Sequence, residues 1–207
     1  MEPKRVMTKY HPSLLDSVKS TRDYVYLRDN IKWEEGVRSK RGFTRLARAL
    51  NRGENKVVDD IISETLEKLG VKNKYDIYGI YLNYYKDGTH YTPSHSHKGT
   101  SQLIISLGAT RILQVSSKEY SMGNGDVIIF GSSVHGIKQE PELINTKESG
   151  DIYGRISIAT FMRPHNSNIP QPIPLNTPNY VMVYGSDGFI LTECELSEEI
   201  LKYLEGL

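Results

Sequence analysis

The sequence predicts an α+β protein built on a double-stranded β-helix, or jelly roll, with N-terminal helices packed on one sheet. Two observations lead there. A helical apolar period is confined to the N-terminal third, and after residue 74 the period changes to two. From that point short apolar runs are cut by Gly, Asn and Ser signals at Gly108, Gly123-Asn124-Gly125 and Gly131-Ser132-Ser133. Many short strands after a helical region are the pattern of a two-sheet roll covered on one side.

The elements follow in order. Val57, Val58, Ile61, Ile62, Leu66 and Leu69 recur at helical spacing, so residues 57–70 predict an amphipathic helix stopped by Gly70. Phe43, Leu46, Ala47 and Leu50 allow a second helix over 38–51. Along 77–85, Ile77, Gly79, Tyr81, Asn83 and Tyr85 share one strand face, and Tyr78, Ile80, Leu82 and Tyr84 the other. Lys86-Asp87-Gly88 then reads as a turn. Further strands are expected at about 102–107, 110–116, 126–131 and 153–163. Five prolines within 164–178 predict an extended linker, followed by a hairpin of 180–184 with 189–192 and a short helix capped by Ser197. The expected organisation is therefore one domain over 1–163, its roll over about 75–163, and a small appendage over 164–207.

Composition is that of an ordinary globular chain, with 38% hydrophobic and 25% charged residues. The single cysteine, Cys194, permits no internal disulfide and reads as a small apolar residue. No apolar run approaches the ~20 residues of a membrane helix, and no hydrophobic signal core follows Met1. An intracellular, soluble protein with no membrane partner is expected, cytoplasmic or nuclear. Charge is uneven: residues 1–98 carry +6 and residues 99–207 carry −5. Arg38, Lys40, Arg41, Arg45 and Arg48 concentrate positive charge, as a phosphate-binding patch or a solvated helix face would.

His95-Ser96-His97 places two imidazoles two residues apart, on one face of a strand, where both reach one metal ion. His135 is the candidate third ligand. Three facial ligands leave positions open for substrate and oxygen, as non-haem iron chemistry requires. Alone, His-x-His also describes hydrogen-bonded polar residues of a strand. His90 has the opposite parity and is not expected to ligate. Trp33 reads as a packing residue, and His11 and His165 as surface residues.

The surrounding motifs resemble the AlkB-like Fe(II)/2-oxoglutarate-dependent dioxygenases. Asn83-x-Tyr85 with Asp87-Gly88, Tyr91-Thr92-Pro93-Ser94-His95, Ser106-Leu107-Gly108-Ala109-Thr110-Arg111, Gly125-Asp126 with His135-Gly136-Ile137, and Arg155-Ile156-Ser157-Ile158-Ala159-Thr160-Phe161 occur in the family's order. The resemblance implies Fe(II) held by His95 and His135, with His97 either completing a three-histidine set or leaving iron, more weakly held, on the other two. It implies 2-oxoglutarate as cosubstrate, held by Arg155, Asn83 and Tyr85, with Ser157 in support. It also implies oxidative hydroxylation of an N-alkyl group with release of formaldehyde, succinate and CO2. Alkylated DNA or RNA is the first expected substrate, read by the basic patch, with a protein substrate as the other possibility.

Two residues depart from the family pattern. His97 stands where the family has an aspartate ligand. The family's second arginine falls at Phe161, while Arg163 lies eight residues beyond Arg155, ~26 Å along a straight strand. Arg163 is thus expected at the surface unless a bulge brings it into register. These departures leave two alternatives beside the oxygenase: a catalytically degenerate roll that binds nucleic acid or protein, and a three-histidine metal oxygenase that does not use 2-oxoglutarate.

Overall fold

The computed structural model describes residues 7–35, 38–39, 42–97, 100–141, 154–165, 183–184 and 190–191. The chain runs β1 (Lys9–His11), α1 (Ser17–Asn30), β2 (Glu34–Glu35), β3 (Arg38–Ser39), β4 (Gly42–Phe43), β5 (Leu46–Leu50), α2 (Lys56–Lys68) and β6 (Tyr75–Tyr85). It continues through β7 (Thr92–His95), β8 (Ser101–Gly108), β9 (Arg111–Val115), β10 (Lys118–Met122), β11 (Val127–Phe130), β12 (His135–Ile137), β13 (Arg155–Pro164), β14 (Val183–Tyr184) and β15 (Ile190–Leu191).

Both helices begin on a side-chain cap. Asp16 accepts from the Lys19 amide at 2.7 Å and Asn55 from the Val58 amide at 3.1 Å, each satisfying a donor the helix leaves unpaired. α2 ends at Gly70, whose φ of 65° is the left-handed conformation that glycine adopts without cost. α1 carries no clear apolar stripe. Its buried face is Ser20, Asp23, Tyr24 and Leu27, half of it polar.

Seven strands form one sheet in the order β1-β11-β8-β13-β6-β5-β2, and four form a second in the order β10-β9-β12-β7. Every pairing within them is antiparallel. The side-chain period of two sorts the large sheet into two faces. Ile80 and Leu82 of β6, Leu103 and Ile105 of β8, and Ile156 and Ile158 of β13 pack with Tyr24, Leu27, Ile61 and Ile62 of the helices. The opposite face contributes Tyr85, Ile104, Ile128, Phe130 and Ala159 to a second core, with Leu113, Val115, Met122 and Ile137 of the small sheet. The layers are helices, seven strands and four strands, a jelly-roll-like arrangement. Trp33 packs on Tyr84 with ring centroids 5.2 Å apart, as its reading as a packing residue required.

The helix expected over 38–51 does not form. β3 pairs with β4, and β5 is hydrogen-bonded to β2 on one edge and β6 on the other. A short apolar run fits either period, and here two available strand partners decide it. The expected linker over 164–178, the helix from Ser197 and Cys194 lie outside the described residues, apart from Pro164 and His165. Val183 and Tyr184 pair with Leu191 and Ile190 in a two-stranded sheet.

Gly108 closes the end of β8 at φ 88°, and a Cβ there would lie 2.6 Å from the Gly154 carbonyl oxygen and 2.7 Å from the Tyr24 ring. Gly108→Ala is expected to destabilise the fold by ~2–4 kcal/mol through backbone strain and overpacking. A fall in the urea midpoint with an unchanged slope would show it; an unchanged midpoint would contradict the fit.

Candidate metal centre and cosubstrate cavity

A cavity of about 480 Å³, solvent at its mouth included, opens between the two sheets. β13 lines it with alternate residues, Arg155, Ser157, Ala159 and Phe161. β6 adds Tyr85, Asn83 and Tyr81, and β8 adds Ile104 and Gln102. The small sheet closes it with Thr92, His95, Leu113, His135 and Ile137.

Three imidazoles meet in this cavity. β7 and β12 pair so that His135 lies directly opposite His95, with ring centroids 4.3 Å apart. His97, just past the end of β7, turns its ring to 4.9 Å from that of His95. One ligand atom from each of His95, His97 and His135 lies within 4.8 Å of the others. The Nδ1 atoms of His95 and His135 lie 2.8 Å and 2.9 Å from the carbonyls of Pro93 and Ser133. A carbonyl only accepts, so both Nδ1 atoms carry the proton and both Nε2 atoms are the unprotonated nitrogens, the form that ligates a metal. Orientation of a ligating imidazole through its other nitrogen is the usual outer support of a metal site.

Charge favours the same reading. Burial, with the positive field of neighbouring imidazoles and of Arg45, pushes the His95 ring down to about 2 and His97 to about 3. His135 is pushed down to about 4, by burial first and then by Arg45. All three are neutral at physiological pH, the state in which imidazole ligates.

Arg155 is 1% exposed, and its Nε donates to Ser106 Oγ at 2.7 Å. Its two terminal nitrogens are buried and have no hydrogen-bond partner among the described residues. Burial lowers its pKa to about 10, so it stays charged at neutral pH. Its guanidinium lies 5.5 Å from the Tyr85 ring centroid, and Tyr85 shares a 2.6 Å hydrogen bond with Thr92. A buried cation with an orphaned fork is costly, and it fits a carboxylate that accepts both donors in parallel. A histidine cluster for Fe(II) and an orphaned guanidinium for a dicarboxylate together fit an iron and 2-oxoglutarate pair.

Arg45 corrects the sequence expectation. Grouped there with a surface patch, it is 2% exposed and lines the cavity. Its Nε donates to Asn83 Oδ1, and Asn83 Nδ2 donates in turn to Ser157 Oγ at 3.4 Å. The reason is position: Arg45 immediately precedes β5, whose pairing with β6 sets Ala47 opposite Asn83. Asn83 therefore holds an arginine as well as facing the cavity. Arg48 is half-buried and ion-paired with Glu34. The Arg38 backbone pairs in β3, and Lys40 and Arg41 lie outside the described residues.

Arg163 does not enter the cavity. The register shift between Phe161 and Met162 places the extra residue on β6, and Arg163 falls opposite Asp76, with its Nε 3.6 Å from that carboxylate. His90 does not line the cavity, and its Nδ1 accepts from the Lys86 amide. Sequence reasoning missed Gln102, whose buried amide nitrogen has no partner among the described residues and which lines the cavity with Phe161. Its parity with Ser106 on a predicted strand was the available signal.

No protein-family model matches the chain, and no curated protein matches it in sequence. Solved structures share its fold. A prolyl-4-hydroxylase from Pseudomonas putida aligns with a TM-score of 0.55 at 12% identity, over 76% of this chain and 92% of that one. The non-haem α-ketoglutarate-dependent epimerase SnoN of nogalamycin biosynthesis aligns at 0.56 and 13% identity, over 91% and 92%. An oxidoreductase of the 2OG-Fe(II) oxygenase family from Burkholderia pseudomallei aligns at 0.51 and 14% identity, over 77% and 86%. The shared fold is one that Fe(II)/2-oxoglutarate oxygenases use.

The depressed imidazole pKa values predict an acid-labile metal-free protein. Unfolded histidines protonate near pH 6.5, whereas the folded ones resist until about 4 or below. Stability is fully present above pH 6.5 and falls with pH below it, by up to ~1.4 kcal/mol per pH unit for each histidine. Urea midpoints at pH 7 and pH 5 should therefore differ, and His135→Asn should reduce the difference. Equal midpoints in the unaltered protein would contradict the neutral cluster.

Proposed function

We propose that the chain is an Fe(II)- and 2-oxoglutarate-dependent oxygenase with a three-histidine iron centre. One observation carries the reading: the guanidinium fork of Arg155, without a hydrogen-bond partner among the described residues, lines the same cavity as the convergent His95, His97 and His135. When bound, iron and 2-oxoglutarate supply the activation of O2 and the oxidation of a substrate C–H bond. The chain's own residues hold and shape. His95, His97 and His135 present lone pairs, and Arg155 receives the distal carboxylate. Tyr85 and Ser157 flank that carboxylate's place, and Leu113, Ile137, Ala159 and Phe161 exclude water around the reacting groups.

Arg155 also separates this reading from its rivals. A three-histidine oxygenase working without 2-oxoglutarate, or a degenerate binding module, would need some other acceptor for two nitrogens of this buried guanidinium.

The order of motifs over 75–163 extends the proposal towards AlkB-like oxidative dealkylation. Alkylated nucleic acid is the less favoured substrate within it. Arg45 is inside the cavity and Arg48 is ion-paired, so two of the five cations expected to meet phosphates are not free at the surface.

Anaerobic addition of Fe(II) and then 2-oxoglutarate should produce the visible metal-to-ligand charge-transfer band of a chelated complex, and air should release succinate. Arg155→Met should weaken 2-oxoglutarate binding by about tenfold or more while Fe(II) binding persists. Absence of both band and succinate in the unaltered protein would defeat the proposal.

A further inference from the structure

We infer that Gln102 anchors the substrate: its side-chain amide donates to the carbonyl oxygen of a small uncharged molecule held at the histidine end of the cavity. The inference rests on the oxygenase reading for the reaction, and on the cavity wall alone for the substrate class.

Gln102 lies on β8 and is 1% exposed. It lines the cavity, and its amide nitrogen is buried with no hydrogen-bond partner among the described residues. A buried donor left unmet costs more than an ordinary hydrogen bond returns, so this nitrogen favours a ligand that supplies an acceptor. Asn83 is the contrast within the same cavity. Its Oδ1 accepts from Arg45, and its Nδ2 donates to Ser157 Oγ at 3.4 Å.

Register fixes where the donor stands. Gln102 is opposite Phe130 of β11 on one side and Phe161 of β13 on the other. Side chains paired in this way share a face of the sheet, with Cβ atoms about 5 Å apart. The Phe130 ring lies 4.9 Å from the ring of His135, and the Phe161 ring lies 4.9 Å from that of His97. Gln102 is therefore set between two phenylalanines, each of which packs on a different candidate ligand. Arg155 belongs to the other end, six residues from Phe161 and about 20 Å along a straight strand.

The wall around the donor selects an uncharged partner. The adjoining row across the sheet is Ile104, Ala159 and Tyr81, so the amide has apolar and aromatic neighbours. A charged group placed against this wall would give up its hydration for a single neutral donor. Both guanidiniums of the cavity are tied elsewhere, Arg155 to Ser106 and Arg45 to Asn83. Ser106 and Asn83 stand opposite Ser157, four residues from Phe161 and about 13 Å along the strand. A ketone, ester or amide carbonyl accepts from Gln102 while staying uncharged, and its apolar body matches the phenyl rings. One polar group that orients a ligand in a mostly apolar site is the common design of small-molecule pockets.

Saturation-transfer NMR on the full chain, with Zn(II) and 2-oxoglutarate present, tests this. The probes are butanone, 2-methylbut-1-ene, in which CH2 replaces the carbonyl oxygen, and propionate, an anion of similar size. Gln102→Met should weaken butanone binding by about threefold to tenfold and leave 2-methylbut-1-ene bound as before. Propionate should bind more weakly than butanone and be indifferent to the substitution. The urea midpoint of Gln102→Met should hold or rise, because the variant removes an unmet buried donor. Absence of butanone binding overturns the inference, as does an equal effect of Gln102→Met on ketone and alkene, tighter binding of propionate, or a fall in the midpoint. The 2-oxoglutarate signals in the same samples report on the cosubstrate separately. Butanone binding through Gln102 without 2-oxoglutarate binding would uphold the donor site and defeat the cosubstrate assignment. Binding of 2-oxoglutarate alone would do the reverse.

Discussion

The pairing of β13 with β6 on one edge and β8 on the other organises the rest of the molecule. Hydrogen-bonded along both sides, β13 cannot slip by one residue without exchanging its two faces. In the observed register Ile156 and Ile158 meet the helices, while Arg155, Ser157, Ala159 and Phe161 meet the cavity. The same alternation on β6 and β8 delivers Asn83, Tyr85, Gln102 and Ser106 to the cavity side. Apolar burial against α1 and α2 is thus what holds two polar arms and a serine ladder in an otherwise greasy interior. The function-bearing residues depend on a register set by residues that touch no ligand.

The second constraint is electrostatic. A neutral three-histidine cluster gives a divalent ion less charge compensation than a set containing a carboxylate. Arg155 adds to the positive charge of the cavity, and so does Arg45. Such an interior favours ligands that bring negative charge, as a carboxylate beside Arg155 does.

Much of this was legible in the sequence where a period was long and clean. The alternation over 77–85 and 153–163 placed Asn83, Tyr85, Arg155 and Ser157 on faces that the structure brings into one cavity. The six apolar positions of 57–69 did the same for α2. Elsewhere tertiary context overrode local pattern. α1 was unreadable because Ser20 and Asp23 occupy half its buried face, leaving no apolar stripe to detect. The run Leu46–Leu50 fits a helix as well as a strand, and only the free edge of β6 decides between them. Arg45 looked like one of several surface cations, since nothing local distinguishes a basic residue that enters a cavity from one that leaves it. His97 lies beyond the end of β7, so its convergence with His95 depends on the course of the chain after that strand and not on strand parity.

The central claim is that His97 completes a three-imidazole metal site in place of a carboxylate ligand. Pulsed electron paramagnetic resonance of the Cu(II)-loaded protein counts coordinated imidazoles directly through their remote nitrogens. The account predicts three in the unaltered protein and two after His97→Ala. A count of two in the unaltered protein, or one that His97→Ala leaves unchanged, would contradict it.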